Sequence, residues 1–303
     1  MDKRKTGLRE IVLLAAPHTW AASCVPVLLS VVLARVHTGR VSLVMALLTL
    51  LISVLMQSAV NAFDDYSDYI RGTDTMENSP ESYDAVIVYG MPPKTALLCG
   101  IGFLTAAALL GAYVVAVCGV IPLYIGLTGG AVVLLYAFGR KPLSYLPFGE
   151  LVSGLVMGGL IPLAGYYMQT GTLRFAVLIE ALPVTLGIAL IMFSNNACDI
   201  VRDTAAGRKT FACLMGRERT QSLYKALLTL WLLLPVFVPA RSGITAAAAY
   251  ALCLPLSAPG FARQIKTAPD EKSRAAVMGG IVRLNTTLGL SYMLALLIGG
   301  GVL

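Results

Sequence analysis

Long apolar runs alternate along this chain with polar segments that are long on one side and short on the other. Nine runs come close to or exceed the roughly 20 residues a helix needs to cross the hydrocarbon core of a bilayer. They cover 12–34, 41–60, 95–116, 118–137, 151–168, 175–194, 222–240, 243–258 and 281–302. The runs are too long and too evenly apolar for the alternating strands of a transmembrane barrel. Glycine and proline inside several of them are tolerated in membrane helices. The pattern predicts an all-α membrane protein of nine transmembrane helices, with residues 1–303 as a single transmembrane domain.

The long polar segments, 61–94, 138–150, 195–221 and 259–280, all follow even-numbered runs and so share one membrane face with the N-terminus. Of 23 Lys and Arg, only Arg35, Arg40, Arg174 and Arg241 fall on the other face, which leaves 19 on the first. The excess of basic residues on cytoplasmic loops places the long loops and the N-terminus in the cytoplasm and the C-terminus outside. The expected setting is the cell inner (cytoplasmic) membrane, multi-pass, with membrane lipid around it. Glu180 is the exception among 16 acidic residues, lying inside the sixth run. The basic N-terminus leads into a run too long for a signal peptide, so it reads as a retained first span.

Composition fits this picture. The chain is 57% hydrophobic and 13% charged, with a mean hydropathy of +0.78. A net charge of +7 would suggest nucleic acid in a soluble chain, but here its distribution follows the membrane, and no nucleic-acid partner is expected. Six cysteines lack metal-site spacing and read as small buried hydrophobes.

Two acidic clusters carry the candidate chemistry. One closes the second run, with Asn61 followed by Asp64, Asp65 and Asp68; the other closes the sixth, with Asn195 and Asn196 followed by Asp199 and Asp203. At helical spacing, Asp65 shares a face with Asp68, and Asp199 with Asp203. Like charges this close repel and call for an opposing cation. Mg²⁺ is held by one or two carboxylates together with substrate phosphates, and Asn61, Asn195 and Asn196 can add ligands or orient the acids. Arg71, Lys94, Arg140, Lys141, Arg202, Arg208 and Lys209 form a basic rim suited to phosphate oxygens. The bland alternative is that the acids and amides cap helices and the cations snorkel. Taken together, the residues describe a polytopic protein with a metal–diphosphate site under a lipid-exposed tunnel.

Several motifs occur in order along most of the chain. They are Pro17-His18-Thr19-Trp20 with Pro26; Asp64-Asp65-Tyr66-Ser67-Asp68 with Gly72-Thr73-Asp74; Pro142-Leu143-Ser144-Tyr145 with Gly149-Glu150; Gly165-Tyr166-Tyr167-Met168-Gln169-Thr170-Gly171; and Asn195-Asn196, Asp199, Asp203, Gly207, Lys209 and Thr210. This ordered set resembles the UbiA superfamily of intramembrane prenyltransferases, most closely the branch acting on 1,4-dihydroxy-2-naphthoate in menaquinone synthesis. The chain departs from that branch at Asp64, where asparagine is usual, at Cys198, where arginine is usual, and at Ala16, which replaces a common arginine.

The resemblance implies nine helices around a central cavity, with active-site loops at 61–94, 138–150 and 195–221. It implies Mg²⁺ as cofactor, held by Asp65, Asp68, Asp199 and Asp203, and polyprenyl diphosphate as donor. The implied acceptor is an aromatic ring, 1,4-dihydroxy-2-naphthoate, which loses its carboxylate to give demethylmenaquinone. Other acceptors in the same chemistry are a 4-hydroxybenzoate or homogentisate ring. The rival from another class is a polytopic transporter or lipid-binding protein, which would place more charge near the midplane. Tyr66, Tyr69, Tyr136 and Tyr145 are candidates to shield a developing allylic cation or line the acceptor pocket, and each also fits an interfacial aromatic belt.

Overall fold

The computed structural model describes residues 7–73, 75, 85–237 and 243–303. Asp74, Asn78, Asp84 and Arg241 lie outside the described residues. The described chain is helical, and seven of its helices are long and apolar enough to cross a membrane. They are Ala21–Thr38, Leu43–Arg71, Pro93–Cys118, Gly149–Thr170, Arg217–Phe237, Gly243–Lys266 and Arg274–Gly299. Two further apolar helices, Ile121–Ala137 and Leu182–Cys198, are 17 residues each; the first falls within the fourth predicted run and the second begins in the sixth and continues past its end. Large apolar side chains stay open on these helices, Leu109 at 70%, Leu252 at 82% and Ile244 at 87% exposure. Such surfaces suit lipid rather than water.

The boundaries differ from the hydropathy pattern in an instructive way. Leu43–Arg71 continues past the apolar run, so Asp64, Asp65 and Asp68 sit on its last turns rather than on a loop. Most of the polar segment 259–280 is likewise helical, with only the turn between Lys266 and Arg274 irregular. Hydropathy marks where a helix leaves the apolar phase, whereas backbone hydrogen bonding carries it further. The first predicted run is broken instead. Helix Leu8–Leu14 ends, Ala16 takes a left-handed φ of 49°, a short turn spans Pro17–Thr19, and the long helix begins at Ala21. The sixth run is interrupted at Ala181, between Ala176–Glu180 and Leu182–Cys198.

The chain divides into two compact units, one of Met1–Trp20 with Leu51–Ser144 and one of Ala21–Leu50 with Tyr145–Leu303. In the first, the break at Ala16 frees carbonyls that the second long helix satisfies. Asn61 Nδ2 donates to Ala15 O (3.3 Å) and Thr19 Oγ1 (3.2 Å), and Gln57 Nε2 donates to Thr19 O (2.8 Å). Phe63, Ala59, Val133 and Ala137 make a buried cluster, with the Phe63 ring lying against Gly100.

In the second unit, small residues let backbones approach, as is common where lipid supplies no hydrophobic drive between helices. A Cβ on Gly158 would lie 2.3 Å from Thr185 Cα, so the π-helical stretch Gly154–Leu160 packs its backbone directly on Leu182–Cys198. At the start of that last helix, Glu180 is buried with His37. Glu180 Oε1 lies 3.2 Å from His37 Nε2 and 3.8 Å from Arg174 Nη2. Tyr292 Oη donates to the Glu180 carbonyl at 2.8 Å, and His37 Nδ1 is 3.3 Å from Tyr166 Oη.

Candidate active site

Each acidic motif is described within its own unit. In the first, helix Leu43–Arg71 ends at Gly72, whose φ of 68° is the left-handed conformation glycine adopts without strain. Thr73 N–H donates back to the Asp68 carbonyl (2.9 Å) and Gly72 N–H to the Tyr69 carbonyl (3.1 Å). This stop fixes the acids on a regular turn. Asp68 is buried, and Asp65 Oδ2 accepts the Ala85 N–H at 3.3 Å, holding the returning chain. Ser67 Oγ donates to the Ala137 carbonyl (2.7 Å), which ties the motif to the end of helix Ile121–Ala137. Arg71 is exposed and donates through Nε to Ser67 Oγ (3.1 Å) and through Nη2 to the Gly139 carbonyl (2.7 Å). Lys94, Arg140 and Lys141 are exposed. Tyr66 is half-buried against Phe138, Tyr136 is half-buried, and Tyr69 is exposed.

In the second unit, Leu182–Cys198 ends at Asp199 and helix Ile200–Ala205 follows at once, so Asp199 and Asp203 fall one turn apart, both fully buried. Asp203 N–H donates to the Asp199 carbonyl at 2.8 Å. Charge surrounds them. Arg202 Nη2 is 2.9 Å from Asp199 Oδ2, and Arg208 Nη1 is 3.7 Å from Asp203 Oδ1. Arg208 also stacks over the Tyr145 ring, 4.8 Å from its centre, while Lys209 N–H donates to the Tyr145 carbonyl (3.0 Å). Tyr145, in the same unit, therefore meets the end of the second aspartate motif directly. Glu150 completes this contact: its Oε1 accepts from Asn196 Nδ2 at 2.9 Å, and its Oε2 is buried with no hydrogen-bond partner.

The sequence pattern did not single out Arg274. This first residue of helix Arg274–Gly299 places Nη1 on Asp199 Oδ2 and Nη2 on Asn195 Oδ1 (2.7 Å). Asp270 caps the turn before it, accepting the Ser273 N–H at 2.8 Å. That bond is the chief reason the Asp270 carboxyl is held below the usual carboxylate range, so the cap is ionised at neutral pH.

All the donors of both motifs are hard oxygens. Among the described residues no three His, Cys, Asp or Glu side chains converge on one point. An all-protein cage is thus not built, and the donor set suits Mg²⁺, which keeps few protein ligands and is completed by phosphate and water. Around Asp199 and Asp203 stand Arg202, Arg208 and Arg274, with Lys209 exposed beside them, so positive charge gathers around the second motif's carboxylates.

A model of the UbiA prenyltransferase family matches residues 23–287. A 1,4-dihydroxy-2-naphthoate octaprenyltransferase of Bacillus subtilis is 39% identical over 213 residues, 70% of this chain and 68% of that protein. UbiA prenyltransferase domain-containing protein 1 of Danio rerio is 27% identical over 294 residues, 95% of this chain and 83% of its own length. A solved UbiA homologue from Archaeoglobus fulgidus bound to DMAPP and Mg²⁺ superposes with a TM-score of 0.63 over 94% of this chain and 99% of its own, at 17% identity. At that identity the likeness is one of fold.

Proposed function

This chain belongs to the UbiA prenyltransferase family, and we propose that it moves a polyprenyl group from polyprenyl diphosphate to 1,4-dihydroxy-2-naphthoate, releasing CO₂ and leaving demethylmenaquinone. The acceptor rests on one observation above the others, the 39% identity to the Bacillus subtilis naphthoate octaprenyltransferase. In this reading the two units act as one transferase domain, and the two 17-residue helices complete nine spans around a central cavity.

Asp65 and Asp68 in one motif, and Asp199 and Asp203 in the other, are the proposed Mg²⁺ ligands, with Asn61, Asn195 and Asn196 orienting them. Bound Mg²⁺ would offset the charge that grows on the diphosphate as the carbon–oxygen bond lengthens. The chain's own cations assist at the same oxygens. Arg202 and Arg208 are already anchored on the aspartates, and the exposed Lys94, Arg140, Lys141 and Lys209 add charge at the rim. Arg71 is spent partly on Ser67 and Gly139 and contributes through its remaining donors. Asn61 Nδ2 is committed to the break at Ala16, so Oδ1 is its atom for a ligand. The tyrosine faces shield the allylic carbon, Tyr145 being fixed by Arg208.

The acceptor is tested by product mass. Purified protein given a prenyl diphosphate and 1,4-dihydroxy-2-naphthoate should yield a product lighter by one CO₂ than simple addition. Prenylation of 4-hydroxybenzoate with its carboxylate retained, and none of the naphthoate, would move the acceptor and leave the chemistry standing.

Orientation in the cell membrane follows the charge bias and is tested by labelling. With the native cysteines replaced by serine, Lys266→Cys should react from the cytoplasmic side and Thr172→Cys, at an exposed position, from the outside. The reverse pattern would invert the topology.

A further inference from the structure

We propose that Arg274 is a positioning residue of the diphosphate site, a two-pronged clamp from the last helix that sets the second aspartate motif for its cation. This deepens the reading above and rests on it. Arg274 is 8% exposed, and its guanidinium joins two residues that flank one turn of the motif: one prong meets Asp199 Oδ2, the other Asn195 Oδ1 at 2.7 Å. Arg202 meets the same Asp199 oxygen at 2.9 Å. Both guanidiniums therefore gather on Oδ2, and Oδ1 lies outside both pairs. A carboxylate held in this way presents its second oxygen in one fixed direction.

The clamp is itself held. The Asp270–Ser273 turn, closed by Ser273 N–H on Asp270 Oδ1 (2.8 Å) and Asp270 N–H on Ser273 Oγ (3.0 Å), sets where the helix begins. Helix Arg274–Gly299 is then buried along much of its length, so its first residue cannot drift. A planar fork is needed because the acceptors are two atoms on different side chains. Lysine has the charge, but its donors sit on one nitrogen at the end of a flexible stem and lack the fixed planar fork that reaches both acceptors at once.

Groups that orient metal-binding carboxylates typically govern metal affinity by about 10–100-fold. The test follows the thermal stabilisation of purified protein by inorganic pyrophosphate as Mg²⁺ is titrated, alongside kcat and KM for the prenyl diphosphate. Arg274→Lys and Arg274→Ala should each raise the Mg²⁺ needed for half-maximal stabilisation by about 10-fold or more. Asn195→Ala, which removes one acceptor and leaves the Asp199 pair intact, should shift it the same way and serves if Arg274→Ala does not fold. An unchanged Mg²⁺ requirement in Arg274→Lys and Asn195→Ala would overturn the clamp. So would full recovery in Arg274→Lys of a loss seen in Arg274→Ala, because charge alone would then suffice. Absence of Mg²⁺-dependent stabilisation in the unsubstituted protein would instead remove the diphosphate reading itself.

Discussion

Asp68→Asn and Asp203→Asn should each lower the rate of prenyl transfer by about 10²–10³, the equivalent of about 3–4 kcal/mol lost from one positioned electrostatic contact. Both side chains are buried at the ends of helices, and asparagine keeps their size and much of their hydrogen bonding. What it removes is the charge that holds Mg²⁺ against a leaving group whose own charge grows in the transition state. The loss should therefore fall mainly on kcat, with folding and insertion preserved. Glu218→Gln, an exposed acid on the same polar segment as the second motif, is the control and should leave the rate unchanged. If the aspartates merely cap helices, the same substitutions would lower thermal stability and leave turnover near normal. Rate and melting temperature measured side by side separate the two.

The other large effect is expected far from this chemistry, at the opposite end of helix Leu182–Cys198. Seventeen residues of helix put Glu180 on the order of 25 Å from Asp199. His37→Ala should destabilise the protein by about 1–3 kcal/mol, because it leaves the buried Glu180 side chain without its nearest polar partner. Both side chains are almost inaccessible, at 3% and 4% exposure. Arg174, 3.8 Å away and 29% exposed, offers only weak compensation. Removing both partners, in His37→Ala with Glu180→Ala, should cost less than the sum of the single changes. Thermal unfolding in detergent reads the stability, and Mg²⁺-dependent turnover at a permissive temperature should be nearly unaffected. Additive losses in the double variant would show that the pair does not act as one unit.

The sequence revealed local features and missed those made by distant contacts. The membrane character, most of the spans and both acidic motifs follow from runs and spacings within a single helix. So does the stop at Gly72, because glycine after a helical acid cluster is a local signal. Other features have no local signal. Arg274 is 75 residues from the carboxylate it clamps, and as a basic residue beside a predicted span it looks like any snorkelling arginine. Glu180 stood out as an acid inside an apolar run, yet its partner His37 could not be read from composition. The break at Ala16 does not register in hydropathy, although proline at position 17 disfavours helix at the residue before it. It is recorded instead by the carbonyls that Asn61 and Gln57 satisfy across the fold. Glu150 was legible as part of a motif, whereas its bond to Asn196 depends on how Gly154 and Gly158 let two helices touch.

The most direct test of the account is metal removal from the purified, unsubstituted protein, with prenyl transfer to an aromatic acceptor as the readout. Activity should vanish in EDTA and return when Mg²⁺ is added in excess of the chelator. Full transfer in EDTA would contradict the assignment of Asp65, Asp68, Asp199 and Asp203 as the residues that hold Mg²⁺ against the diphosphate.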